Sequence, residues 1–484
     1  MDSNRAERRR RTPLWIAIGL LVLTIGLGAA GIAPHSLLTD GGDPGGELAL
    51  RFQAPGGGVV AFSGELDKTA VLAGGDGLVR IELGIRGDTA PGGDVEQMPS
   101  DLVVVLDQSG SMAGEKITHA RAAIHQLISA LGPEDRFALV SYSVGAHTAI
   151  PLSAVGDSAR GRWRATVDGI SIGGGTNLSS GLDVGLDIID ASRVGGRIPR
   201  MILISDGLAN QGDVSPSGLR ARARRAAVGE YTLTTIGVGN DFDEQLLATL
   251  ADAGTGNYYY IQRGSDLARI FSDEFETARE SVARGLAVVI HPAAGVEVVD
   301  AAGYPLERGV EGETVFRPGT LFAGQERRIW VTLRTRWSSQ GIRELGRFTL
   351  DYTERDQRKS LRFSEAPRVA LVVDEDSFYA SVDEENWSRG VIVDQYNDLR
   401  RKVAAEIKTG DAMAASKRIG AFREKTEQMN ARIRSAEVEA QLHELEGLAA
   451  EVDDQLTGKA VMAPARLKQM QSLGYSAGRV GDRK

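Results

Sequence analysis

Two aspartates, each at the end of a short apolar run, are the residues of this sequence best suited to chemistry. Asp107 ends the run in DLVVVLDQSGSMAGEK, and Asp206 ends the run in MILISDGLANQG. Two hydroxyl groups follow the first acid, at Ser109 and Ser111, and Thr176 follows three glycines in GGGTNL. These five side chains offer only oxygen donors, with neither His nor Cys beside them. Such a set is suited to a hard cation such as Mg²⁺, which prefers six oxygen ligands.

The elements around these residues are expected to bring them to one edge of a sheet. Between residues 99 and 280, short apolar runs such as LVVVL and FALVSY alternate with helical patterns. This alternation predicts an α/β fold with a doubly wound, mostly parallel sheet. Ligands of such sheets bind beyond the carboxyl ends of the strands, where both acids are expected. Thr176, at the start of a predicted helix, is expected at the same edge.

These five positions resemble the metal-ion-dependent adhesion site of von Willebrand factor type A domains. The Asp-x-Ser-x-Ser motif, the later threonine and the second aspartate match in order and on the expected elements. The resemblance covers about residues 99–280. It implies one Mg²⁺ or Mn²⁺, bound by Ser109, Ser111 and Thr176, with Asp107 and Asp206 often acting through water. It also implies that an aspartate or glutamate of a protein partner completes the coordination.

Other roles for the same residues have weaker support. Asp107 could cap a helix, but a cap does not explain Thr176 and Asp206. The GGGTN stretch lacks the Gly-Lys-Ser/Thr that a phosphate-binding loop requires. A phosphatase using Asp107 as nucleophile would usually need a second acid where Ser109 stands. Because H-E-x-x-H does not occur and no group of residues resembles general acid–base machinery, we expect a binding protein rather than an enzyme.

Strands with a period of two flank the α/β unit on both sides. VRIELGI precedes it, and IWVTLRT and RFTLDYT follow it, as half-buried antiparallel strands would. Neither flank alone has many strands, and a small sheet with open edges is a liability. We therefore expect one β-sandwich, built from residues 47–98 and 281–375, into which the α/β domain is inserted. This layout resembles integrin β subunits and inter-alpha-trypsin-inhibitor heavy chains.

The N-terminal residues predict a membrane anchor. Residues 1–12 contain five arginines, and an uncharged run of 20 residues follows within residues 13–33. A helix of that length spans about 30 Å, enough for the bilayer core. Basic residues before the run predict a single pass, with the N-terminus cytoplasmic and the bulk of the chain outside the cytoplasm. The alternative is a signal peptide cleaved near Ala33. Residues 34–46 are rich in Gly, Pro and Asp and predict a linker.

The C-terminal part and the composition complete the prediction. Residues 376–461 carry apolar stripes at helical spacing, which favour a helical region with its own core over a groove for a partner. The tail, 462–484, has little pattern. A net charge of −9 without a basic patch gives no reason to expect nucleic acid binding, and the absence of cysteine excludes disulfides and thiolate sites.

Together these patterns predict a membrane-anchored, extracytoplasmic binding protein, and an anchored protein of this kind resembles bacterial cell-envelope members of the von Willebrand factor type A family. Its metal ion would coordinate an acidic residue of a protein partner, as in adhesion. The alternative is a scaffold or assembly component of an envelope complex, which would act through its C-terminal helices and use the metal for structure or regulation. The sequence indicates neither the partner nor the oligomeric state.

Overall fold

The computed structural model describes most of the chain beyond residue 47. The described residues are 48–56, 58–88, 99–192, 197–206, 208–239, 242–261, 270, 281–355, 357–464, 466–467 and 469–470. The predicted membrane anchor and linker lie outside them. Within the described part of the chain, no helix is long and apolar enough to cross a membrane.

Four strands precede the α/β unit among the described residues 48–56 and 58–88. In the longest of them, Val79, Ile81, Leu83 and Ile85 are buried, because a strand presents alternate side chains to one face. The strands are β1 (Arg51–Gln53), β2 (Val60–Leu66), β3 (Ala70–Leu72) and β4 (Leu78–Gly87).

The α/β unit consists of a six-stranded sheet with helices on both faces. Its elements are β5 (Ser100–Asp107), α1 (Glu115–Ala130), β6 (Arg136–Tyr142), β7 (Ala146–Ala154), α2 (Asp157–Asp168), α3 (Leu178–Ala191), β8 (Ile198–Ser205), α4 (Pro216–Val228), β9 (Thr232–Val238), α5 (Glu244–Ala253) and β10 (Thr255–Ile261). The strand order is β10-β9-β8-β5-β6-β7, and every pair is parallel except β6 with β7. α1 and α2 cover one face, and α3, α4 and α5 cover the other. The prediction of a doubly wound, mostly parallel sheet is confirmed.

Nine further strands follow the α/β unit in the described part of the chain. They are β11 (Ser281–Pro292), β12 (Val296–Ala301), β13 (Glu307–Arg308), β14 (Thr314–Phe322), β15 (Glu326–Thr335), β16 (Gly341–Glu344), β17 (Gly346–Glu354), β18 (Gln357–Arg362) and β19 (Arg368–Val372). Two five-stranded sheets have the orders β1-β2-β4-β15-β12 and β13-β14-β11-β17-β18, and β16-β19-β3 forms a third sheet.

Strands from both sides of the α/β unit therefore share sheets. β4 pairs antiparallel with β15, from Leu78 opposite Arg334 to Arg86 opposite Glu326. Buried side chains of the two five-stranded sheets belong to one hydrophobic cluster, in which Phe62 of β2 lies with Phe348 of β17. The chain leaves these flanking sheets after β4 and returns to them at β11.

The C-terminal region is helical, as predicted. Its helices are α6 (Glu375–Ala380), α7 (Glu384–Arg389), α8 (Tyr396–Lys408), α9 (Ala412–Ile433) and α10 (Ala436–Leu456), with a π-helical turn at Gly390–Gln395 between α7 and α8. The apolar stripes of α8, α9 and α10 pack against one another in a core of their own. Met462 and Met470, in the predicted tail, are also buried in this core. Two methionines eight residues apart do not form an apolar periodicity from which this burial could be predicted.

Candidate metal centre

Asp107 ends the central strand of the parallel sheet and has no exposed surface. Its Oδ1 accepts a hydrogen bond from the backbone N–H of Ser109 at 2.8 Å. Its Oδ2 accepts hydrogen bonds from Ser205 Oγ at 3.0 Å and from the Tyr142 hydroxyl at 3.2 Å. Burial raises the pKa of Asp107, the hydrogen bonds from Ser109 and Ser205 oppose this shift, and the charge of Asp206 adds to it. The carboxylate is therefore held in one orientation inside the protein.

Asp206 follows the neighbouring strand β8 and is also completely buried. Its Oδ1 accepts a hydrogen bond from Ser111 Oγ at 2.9 Å, and its Oδ2 lies 2.7 Å from the ammonium nitrogen of Lys116. The hydroxyl oxygens of Ser111 and Ser109 are 3.0 Å apart. Hydrogen bonds thus run from Asp107 through both serines to Asp206, and four of the five predicted residues form one connected group.

The fifth residue, Thr176, lies on the loop that leads into α3 and is 3% exposed. This loop is bonded to the loop after β5, since the Gly173 N–H donates to the Gln108 carbonyl at 2.6 Å. It is also bonded to the loop after β8, since the Thr176 N–H donates to Asn210 Oδ1 at 2.9 Å. The structure therefore places Thr176 between the loops that carry the two aspartates.

Close packing of these loops explains the glycines before Thr176. A Cβ atom on Gly173 would lie 2.5 Å from Ser143 Oγ and 2.7 Å from Ser143 Cβ, closer than real Cβ atoms come. Asn177 then caps α3, with its Oδ1 accepting the Ser180 N–H at 3.1 Å. Gly173 therefore allows the two loops to approach each other closely, and Asn177 caps the start of α3.

Sequence reasoning missed several residues that hold this site. Ser205, Tyr142 and Asn210 donate to or accept from the predicted residues, and Lys116 brings a positive charge to them. Ser205 directly precedes Asp206, which is the one signal that could have drawn attention to it. The contacts of Tyr142 with Asp107, of Asn210 with Thr176 and of Lys116 with Asp206 form only through the packing of separate elements.

The donor set of this site fits a hard divalent cation. In the part of the chain that the structure describes, no three His, Cys, Asp or Glu side chains form a metal-binding cluster, so a metal here would depend on hydroxyl oxygens as well. Two buried carboxylates and one ammonium group leave a net negative charge when both acids are ionised. Buried charge is costly unless it is paired, and a bound cation would neutralise it.

Comparison with known proteins identifies the α/β unit. Residues 101–273 match the family model of the von Willebrand factor type A domain. The chain contains a von Willebrand factor type A (VWA) domain. It is 29% identical over 192 residues to the uncharacterized protein YfbK of Escherichia coli, covering 39% of this chain and 33% of that protein. It is 31% identical over 188 residues to human inter-alpha-trypsin inhibitor heavy chain H4, covering 37% of this chain and 20% of that protein.

Two solved structures share the fold of this chain, and the likeness extends beyond the VWA domain to most of the chain. The von Willebrand factor type A protein from Catenulispora acidiphila has a TM-score of 0.64 and 17% identity, covering 87% of this chain and 97% of that one. The ArnB paralog VWA2 from Sulfolobus acidocaldarius has a TM-score of 0.52 and 16% identity, covering 87% of this chain and 98% of that one. At these identities the likeness concerns the fold. The match to the two relatives above spans 33% and 20% of their length.

Proposed function

We propose that this chain is a membrane-anchored, extracytoplasmic protein that binds an acidic side chain of a protein partner through a metal ion in its VWA domain. The observation that carries the proposal is the connected group of Asp107, Ser109, Ser111 and Asp206, with Thr176 on the adjoining loop. VWA domains generally bind proteins, and this group offers the oxygen donors of a metal-ion-dependent adhesion site. The anchor rests on residues 13–33 of the sequence.

Each side chain has a role in this mechanism. The hydroxyls of Ser109, Ser111 and Thr176 would bind Mg²⁺ or Mn²⁺, while Asp107 and Asp206 would supply negative charge and hold the hydroxyls in place. A cation with few carboxylates bound to it directly stays electrophilic, and this property lets it accept a carboxylate from outside. Hydrogen bonds from Ser205 and Tyr142 keep Asp107 oriented, so the site needs little rearrangement to bind the metal.

The test uses Thr176→Ala in the full-length chain, purified in detergent. This substitution removes the hydroxyl but keeps the backbone bonds that Thr176 makes with Asn210. We expect it to abolish Mg²⁺ binding, measured by isothermal titration calorimetry, and Mg²⁺-dependent capture of a partner from solubilised membranes. The matched control is Thr166→Ala, because the Thr166 hydroxyl bonds to the Arg162 carbonyl within α2 at 3.1 Å. Unchanged Mg²⁺ affinity in Thr176→Ala would refute the metal site.

The scaffold alternative predicts a different pattern in the same experiment. A partner held by the C-terminal helices would be captured equally with EDTA, with Mg²⁺ and by the Thr176→Ala protein. The apolar stripes of α8, α9 and α10 are buried in their own core, so such a partner would have to bind the polar faces of these helices. This burial favours binding at the VWA domain.

A further inference from the structure

Exposed aliphatic side chains lie close to the candidate metal centre. In the described part of the α/β unit, five large aliphatic side chains are 38% exposed or more, and four of them lie on loops at the edge that carries the two aspartates. Three of these four follow the carboxyl ends of β6 or β8, and the fourth lies on the loop between α2 and α3, which is bonded to the loop after β5. The four are Val144, Ile172, Leu208 and Val214. Single exposed apolar residues are normal on a protein surface, but a concentration of them beside a site indicates an interaction surface.

Val144, on the loop after β6, is next to the segment that carries Thr176. Its Cγ2 lies 3.3 Å from the position that a Cβ of Gly174 would take. Its carbonyl accepts a hydrogen bond from Asn177 Nδ2 at 2.9 Å, and Asn177 directly follows Thr176. The side chain of Val144 is nevertheless 55% exposed, so it borders the site and faces solvent.

Ile172 and Leu208 border the site from two other loops. Ile172, which is 38% exposed, precedes Gly173, and the Gly173 N–H is bonded to the loop between Asp107 and Ser109. Leu208, which is 57% exposed, lies two residues after Asp206 on the loop that holds Thr176. Val144, Ile172 and Leu208 are called the apolar rim below.

The segments next to the apolar rim are uncharged, and Asp213, further along the loop after β8, is paired with Arg222. Segments 143–146, 169–182 and 207–212 contain no Asp, Glu, Lys or Arg. A partner segment with charged residues beside its acid would find no opposite charges on these three segments. Aliphatic or aromatic neighbours would instead remove apolar surface from water on both sides of the interface, which favours binding.

We propose that the apolar rim binds the residues that flank the partner's acidic side chain, so that the preferred ligand is an Asp or Glu next to aliphatic or aromatic residues. This inference rests on the proposed function, because the metal is what fixes the acid between the three rim residues. The metal selects the carboxylate, and the rim selects its sequence neighbours.

A displayed peptide library tests the preference without knowledge of the natural partner. Each peptide carries a central Glu with random residues on both sides, and the full-length chain in detergent is the bait in Mg²⁺. Peptides eluted by EDTA are expected to be enriched in Leu, Ile, Val, Phe or Tyr beside the Glu. EDTA-eluted peptides with polar or basic residues beside the Glu would overturn the proposed role of the apolar rim but would still support metal-dependent binding of the acid. If the peptides stay bound in EDTA, or if no peptide is recovered, both the role of the apolar rim and the metal-dependent binding would be overturned.

Substitutions locate the preference on the rim. Val144→Ser combined with Leu208→Ser should weaken binding of a selected peptide about tenfold, because two exposed apolar contacts are lost. Mg²⁺ affinity should not change, since neither side chain is among the donors. The control is Val228→Ser combined with Val310→Ser, at positions that are 77% and 104% exposed and lie outside the loops of the site. Peptide affinity within twofold of the wild type in the rim variant would overturn the inference.

Discussion

The ammonium nitrogen of Lys116 lies 2.7 Å from Oδ2 of Asp206, a carboxylate with no exposed surface. Lys116 belongs to the first turn of α1, and its side chain is 26% exposed. It compensates one of the two negative charges that a metal ion would use. The VWA domain therefore carries a positive charge of its own at the place where the proposed metal binds.

Lys116→Met should strengthen Mg²⁺ binding. Without the ammonium group, the cation meets no positive charge near Asp206, and we expect affinity to rise on the order of tenfold. The metal-free variant should also unfold at a lower temperature, because Asp206 loses its charged partner, although it keeps the hydrogen bond from Ser111. Mg²⁺ should then restore more stability than in the wild type. Calorimetric titration and thermal unfolding with and without EDTA measure the two effects.

The comparison for Lys116→Met is Lys402→Met. Lys402 pairs with Asp398 on α8 and is 53% exposed, so its loss should alter neither Mg²⁺ affinity nor the response to EDTA. Equal or weaker Mg²⁺ binding in Lys116→Met would show that the lysine does not compete with the metal.

Gly173→Ala should reduce Mg²⁺ affinity through the loop that carries Thr176. The new Cβ would lie 2.7 Å from Ser143 Cβ, so one of the two loops must move. Gly145→Ala is the matched control, because a Cβ on Gly145 would meet no atom within 4 Å. Calorimetric titration of both variants with Mg²⁺ makes the comparison. If both bind like the wild type, the spacing of these loops does not matter for the site.

The ion pair between Lys408 and Glu244 should contribute to stability. Lys408 ends α8, and its Nζ lies 3.1 Å from Oε1 of Glu244, a side chain that is 2% exposed at the start of α5. Lys408→Met should lower the free energy of unfolding by about 1–3 kcal/mol, because a buried carboxylate loses a charged partner. Lys402→Met, which breaks an exposed pair in the same helix, should cost less than about 0.5 kcal/mol. Urea unfolding measures the free energy of unfolding of both variants. Equal decreases in the two would show that burial of the carboxylate partner has no effect.

Asp394 should make stability depend on pH. It lies in the π-helical turn, where burial raises its pKa to about 7, Arg80 opposes the shift, and Asp300 and Asp398 add to it. The folded protein therefore binds a proton on the Asp394 carboxyl group more tightly than the unfolded chain does. The stability that this proton contributes is fully present below about pH 4 and is lost as the pH rises through 7.

The variant Asp394→Asn should flatten this dependence. Its free energy of unfolding, measured by urea titration between pH 5 and 8, should decrease less with pH than that of the wild type. The control is Asp376→Asn, because the Asp376 side chain is 85% exposed. A slope identical to the wild type in Asp394→Asn would show that another group titrates in this range.

Much of this architecture follows from local sequence patterns. Short apolar runs predict β5, β6 and β8, because strands buried on both faces need apolar residues at successive positions. The period of two predicted the strands of the flanking sheets, and the period near 3.6 predicted the C-terminal helices. The candidate donors could be chosen because residue type alone decides which oxygens are available and because parallel strands end at one edge.

Only the tertiary structure decided how these parts meet. The bonds from Ser205 and Tyr142 to Asp107 join three neighbouring strands, and Lys116 reaches Asp206 from a helix that follows a different strand. The register of β4 against β15 and the burial of Met470 likewise join distant segments. Local periodicity reports which face of an element is buried, but it carries no information about which other element covers that face. That choice depends on side-chain shape and charge across the whole fold, and it is what gives the candidate metal centre its lysine and its apolar rim.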